Sequence, residues 1–105
     1  WSYVVFGRIG ARIGEDEFTA GPGSWILKPR GLMHTFWNAG PEPGRIIELL
    51  TPGAFEGLFR GMADLAARDE LTDERLDALA REHETEIDMT WVAELSARYG
   101  LEVTL

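Results

Sequence analysis

Residues 23–38 read Gly23-Ser24-Trp25-Ile26-Leu27-Lys28-Pro29-Arg30-Gly31-Leu32-Met33-His34-Thr35-Phe36-Trp37-Asn38. Their glycines, proline, histidine and asparagine follow the spacing G-x5-P-x-G-x2-H-x3-N without a gap. Gly23 can take the left-handed backbone that turns the chain into a strand, and Pro29 with Gly31 builds a tight loop. His34 then opens a second strand, from which an imidazole nitrogen can be presented. Asn38 can bond the backbone of the turn before Ala39-Gly40-Pro41 through its amide. The segment reads as strand, tight loop, strand, with the strands at 25–28 and 33–37.

Working outward, short β-branched and aromatic runs alternate with turn signals at 2–6, 8–13, 17–19 and 45–50, the pattern of antiparallel hairpins in a sandwich or barrel. All five prolines and all but two of the twelve glycines lie before residue 58. Past Thr51-Pro52-Gly53 the apolar period changes from two to about 3.6. Phe55, Leu58, Phe59, Met62, Leu65 and Ala66 form one stripe, which predicts a helix over about 54–67. Thr72 is placed to cap a second helix, running to about 82, with Leu76, Leu79 and Ala80 inward. Thr90 is placed to cap a third, with Val92 or Trp91, Leu95 and Tyr99 inward and Gly100 as its stop. Residues 101–105 read as a last extended piece that can add to a sheet edge. The expected fold is mainly β, an antiparallel β-sandwich or barrel over 1–53. A helical segment over 54–105 packs on the same domain or on a partner subunit.

The spacing over 23–38 resembles the second signature of the cupin superfamily, and the likeness covers roughly residues 1 to 59. It departs at Ser24, where that family commonly has aspartate. Gly7 fits the last glycine of the family's first signature, G-x5-H-x-H-x3,4-E-x6-G, with Trp1 through Phe6 as the six residues before it. The resemblance implies that two histidines and a glutamate, which in cupins share a metal with the histidine of the second signature, would precede Trp1. On this reading the chain is a cupin barrel incomplete at its N-terminus. His34 is then the single candidate metal ligand within the chain, and one imidazole cannot hold a transition ion, which takes three or four donors. No cofactor is expected in this chain itself. A divalent metal (Fe, Mn, Zn or Ni) is implied for an intact parent.

Strand parity maps the expected cavity. If His34 points inward, Leu32 and Phe36 share its face, while Met33, Thr35 and Trp37 point away. The glutamate position before Trp1 would face inward, so Ser2, Val4 and Phe6 line the same space. Ser2, Val4, Phe6, Leu32, His34 and Phe36 thus form a candidate pocket for a small aromatic or aliphatic ligand, equally compatible with plain core. Trp1, Tyr3, Trp25 and Trp37 fall to an outer face or an inter-sheet layer, where exposed aromatics would call for a partner surface. Arg30, on the tight loop, can clamp a carboxylate or stand as a solvated charge. His83, the other histidine, sits in the acidic helix end Glu82-His83-Glu84-Thr85-Glu86 and lacks the partner histidine of a metalloprotease box.

The 105 residues, 45% hydrophobic, leave room for one core. There is no cysteine, which excludes disulfides and thiolate metal sites and favours a reducing, cytoplasmic setting. No apolar run approaches the roughly 20 residues of a membrane span. The net charge of −8 belongs to the second half of the sequence. Residues 1–53 balance Arg8, Arg12, Lys28, Arg30 and Arg45 against Glu15, Asp16, Glu17, Glu42 and Glu48. That distribution argues against a nucleic-acid or anionic-membrane partner.

Two functions follow as expectations. The first is a cupin-like small-ligand-binding or structural domain without a complete metal site. The alternative is a fragment of a metal-dependent cupin enzyme, of dioxygenase or isomerase type, whose remaining ligands lie upstream of Trp1. An effector-sensing domain of a regulator ranks last, because no DNA-binding helix pair with a basic face appears. A homodimer is expected: Trp1–Phe6 and a facing strand would be left as open edges, satisfied by exchanging edge strands or the helical tail about a two-fold axis, with Phe55, Leu58, Phe59, Met62 and Leu65 as the apolar contributor.

Overall fold

The computed structural model describes residues 1–102; the end of the expected extended piece, 103–105, lies outside the described residues. The chain divides into two compact units, Trp1–Leu49 and Leu50–Leu105.

The first unit carries six strands: β1 (Ser2–Phe6), β2 (Ile9–Ile13), β3 (Asp16–Ala20), β4 (Trp25–Ile26), β5 (His34–Asn38) and β6 (Arg45–Glu48). They form two three-stranded antiparallel sheets, ordered β4-β1-β6 and β3-β2-β5. Strand alternation places Val4 and Ile26 on one sheet against Ile9 and Ala11 on the other, and these four buried residues make the core. Ile13, Ala20 and Ile46 pack around them. The described strands form two separate sheets and not a closed barrel.

Two features depart from the sequence reading. β1 is the central strand of its sheet, bonded to β4 on one side and β6 on the other, so Trp1–Phe6 is no open edge. Its ladder groups are satisfied because the segments at 25–26 and 45–48 fold back on both flanks. Secondly, the β1–β6 register shifts between Val4 and Phe6. Such an irregularity re-aims the side chains beyond it, and Phe6 is 44% exposed with the Arg45 guanidinium 5.3 Å over its ring.

The tight loop forms as its residues dictate. Gly23 and Gly31 have φ of +85° and +80°, a backbone that other residues enter only at a steric cost. The Leu32 amide donates to the Pro29 carbonyl at 3.4 Å, and the Gly14 amide ties the loop's end to Met33 O at 2.9 Å.

The second unit holds α1 (Phe55–Ala67), α2 (Asp73–Glu82) and α3 (Met89–Tyr99). These helices, of 13, 10 and 11 residues, outweigh strands of five residues or fewer, so the chain is mixed α and β rather than mainly β. Leu58, Leu76, Ala80 and Leu95 are the buried residues of this unit, each on one helix stripe. Thr72 caps α2 as expected, accepting from the Arg75 amide at 3.2 Å. The cap of α3 is Asp88 rather than Thr90: its Oδ1 accepts from the Thr90 amide at 2.9 Å and from the Thr90 hydroxyl at 2.5 Å. An ionised carboxylate two residues earlier is the stronger acceptor for the helix N-terminus. Gly100 ends α3 in the left-handed region. Tyr99, expected inward, is 46% exposed.

Candidate ligand site

The polar group Ser2, Lys28 and Glu48 lies beside Phe36 of the facing sheet, where Phe36 and His34 are exposed. On the β4-β1-β6 sheet, Ser2 stands directly opposite both Ile26 and Glu48. Lys28 follows Ile26 by two residues, so it continues the same inward face. The Lys28 side chain is 8% exposed, and its Nζ meets Glu48 Oε2 at 2.5 Å. The second carboxylate oxygen, Oε1, accepts from the hydroxyl of Ser2, itself buried. Each oxygen of Glu48, whose side chain is 27% exposed, thus has a partner.

The facing sheet supplies the other wall. Phe36 is directly opposite Ala11, and His34 directly opposite Ile13, which puts both on the face that carries the core. Lys28 Nζ lies 5.2 Å from the centroid of the Phe36 ring. This cation–π contact links the two sheets. An ammonium has three N–H groups, and among the described residues Glu48 takes one of them. Lys28 therefore retains donor capacity beside Phe36, a residue 46% exposed.

His34 completes the rim. Its Nδ1 is 3.0 Å from the Leu32 carbonyl. A carbonyl only accepts, so in this contact Nδ1 is the donor. His34 is exposed. It stands two residues from Phe36 on one face, roughly 7 Å along the strand.

Of the residues read from the sequence as a pocket, Ser2 and Val4 are buried between the sheets. His34 and Phe36 are exposed. Leu32 is 48% exposed in the loop, and Phe6 is set apart by the register shift. Asn38 makes the turn bonds expected of it: its Nδ2 donates to Glu42 O at 2.9 Å, and its Oδ1 accepts from the Gly40 amide at 3.1 Å. Arg30 is exposed on the loop. In the helical unit, His83 Nδ1 sits 3.0 Å from Leu79 O.

Lys28 and Glu48 are the site residues that reading the sequence passed over. Their signal was present. Each follows an inward-facing isoleucine, Ile26 and Ile46, by two positions, so two opposite charges occupied registers where strand alternation demands burial.

Among the described residues no three His, Cys, Asp or Glu side chains come together as a metal-holding group. The donors present around His34 therefore do not by themselves fit a three- or four-ligand centre. A mostly apolar hollow of about 200 Å³ in the helical unit is lined by Met62, Leu71, Leu76, Ile87, Met89 and Val92, with Thr72 and Asp73 as its polar residues. No described helix is long and apolar enough to cross a membrane.

No family model, no curated protein and no solved structure matches this chain.

Proposed function

We propose that the first unit is a cupin-like module that binds a small neutral ligand between its two sheets. The observation that carries this reading is the shielded Lys28–Glu48–Ser2 group, with spare N–H capacity on Lys28 beside the exposed Phe36. Stability alone would be served as well by apolar residues at those positions, because a shielded ion pair seldom outperforms a hydrophobic replacement. Its retention beside an exposed aromatic residue fits recognition of a ligand.

The charge of that ligand follows from the pair. Glu48 already neutralises Lys28, so an added carboxylate or phosphate would give up hydration against no net counter-charge. A neutral molecule avoids that cost. It needs an acceptor oxygen for Lys28, an apolar or flat body to lie on Phe36, and a hydroxyl or amide group for His34. The cupin resemblance of residues 23–38 supports this placement, because that superfamily uses the same histidine position at its barrel mouth.

Ligand-observed NMR screening of neutral carbonyl and hydroxyl fragments tests the reading. Hits are expected to perturb Phe36 and His34 resonances and to weaken at least tenfold in Lys28→Met. A screen whose hits are all anionic, or whose neutral hits ignore Lys28→Met, overturns it.

A second reading has one observation in its favour, the exposed position of His34 at the start of β5. On it, the chain belongs to a metal-dependent cupin enzyme, of dioxygenase or isomerase type, and the further ligands for Fe, Mn, Zn or Ni come from residues before Trp1. Metal analysis of protein carrying its upstream sequence, with and without His34→Ala, separates the two. One metal per chain, lost in the variant, selects the enzyme.

A further inference from the structure

We propose that the outer face of the β4-β1-β6 sheet is the contact surface for a second copy of this chain. Along the three strands this face presents Trp1, Tyr3, Trp25, Leu27, Ile47 and Leu49. Tyr3 is directly opposite Trp25 and Ile47, and Trp1 exchanges both backbone bonds with Leu49, at 3.0 and 2.8 Å. The aromatic rings brace one another: the Tyr3 and Trp25 centroids are 4.8 Å apart, and Trp1 meets Trp25 edge-on at 6.3 Å. They are nonetheless open to solvent. Trp1 is 50% exposed, Trp25 56%, Leu27 48%, Ile47 51% and Leu49 50%.

None of these six side chains is charged. Beyond Arg45, which is exposed two residues from Ile47 on β6, and the Trp1 ammonium, a nucleic acid, an anionic surface or a charged peptide would find little to pair with. A sugar would find few groups to bond its hydroxyls. What the face matches is another flat apolar face, and the one certain to be present at equal concentration is its own copy. The size agrees. The half-exposed aromatic and aliphatic side chains offer on the order of 500 Å² of apolar surface, at the top of the range seen on stable monomers. A standard interface takes about 800 Å² from each partner, with an apolar centre and a polar rim. The patch is the right size for that centre. Two such sheets stack about 10 Å apart, and a two-fold axis closes the assembly. The inference is independent of the ligand reading, which concerns the opposite face of the same sheet.

Sedimentation of the whole chain between about 1 and 50 µM tests it. A dimer is expected, with Trp25→Glu raising the dissociation constant at least 100-fold and leaving the far-ultraviolet circular dichroism unchanged. Should Trp25→Glu not fold, a nitroxide on Leu27→Cys, in a chain with no other cysteine, gives a second measure. Face-to-face copies place the two spins within about 30 Å, given the 10 Å spacing of stacked sheets. A monomer throughout that range overturns the proposal. So does a dimer that survives Trp25→Glu, or one whose spins lie beyond that distance.

Discussion

Trp37 lies across Gly10 from the neighbouring strand: a Cβ on Gly10 would stand 2.2 Å from Cε2 of the indole ring. The two residues are directly opposite in the β2–β5 pairing, so the indole packs flat on backbone where any other residue would hold it off. Trp37 is half-buried because it rests on that glycine.

Gly10→Ala should therefore cost about 1–3 kcal/mol, the usual range for overpacking a close contact. Urea unfolding followed by tryptophan fluorescence measures it. Trp37→Leu together with Gly10→Ala should recover part of the loss, since the shorter side chain makes room. Additive losses in the double variant would show that the contact is not the cause.

Gly61 presents the opposite case. Its missing Cβ would come 2.8 Å from both methyl carbons of Leu79, but these are the ends of a flexible side chain. Alanine also gains about 1 kcal/mol of helix propensity over glycine. Gly61→Ala is expected to change stability by less than about 1 kcal/mol. Gly61→Leu should destabilise clearly. Thermal unfolding of the two variants distinguishes this balance from a rigid α1–α2 contact, in which alanine too would be costly.

The Lys28–Glu48 pair should behave as a shielded ion pair. Removing one partner, in Lys28→Met or Glu48→Leu, leaves a charge without its counter-ion and should cost about 3–5 kcal/mol, while the double replacement should lie close to the parent. Ser2→Ala should weaken folding by about 1–3 kcal/mol, because Glu48 Oε1 loses its donor. Denaturant midpoints of the four variants give the cycle. A double variant as unstable as the sum of the singles would remove the case for pairing.

Asp88→Ala should cost about 1 kcal/mol through the lost cap of α3. Thr90→Val should cost less, because its amide still donates to Asp88. Equal losses would return the cap to Thr90.

His34→Ala should leave the stability within about 0.5 kcal/mol, as an exposed side chain does, yet weaken neutral fragments bound beside Phe36. A large loss of stability would instead make His34 a structural residue.

The local order of this chain was legible in its residues. The six strand runs, the loop of Gly23, Pro29 and Gly31, the Asn38 turn and three amphipathic stripes follow from backbone freedom and side-chain period, both properties of neighbouring residues. Boundaries moved by a residue or two where a better partner was available, as when Asp88 took the cap from Thr90. The pairing across distance came from the three-dimensional fold alone. That β1 lies between β4 and β6 depends on two segments more than twenty residues away folding back on its flanks, and no local property of Trp1–Phe6 carries that information. The same holds for the site. His34 could be named from its spacing, but a lysine at 28 and a glutamate at 48 become one shielded pair only when β4 and β6 are held on either side of Ser2. Alternation marked both residues as inward-facing, and the long-range contact supplied the counter-charge that lets them stay there.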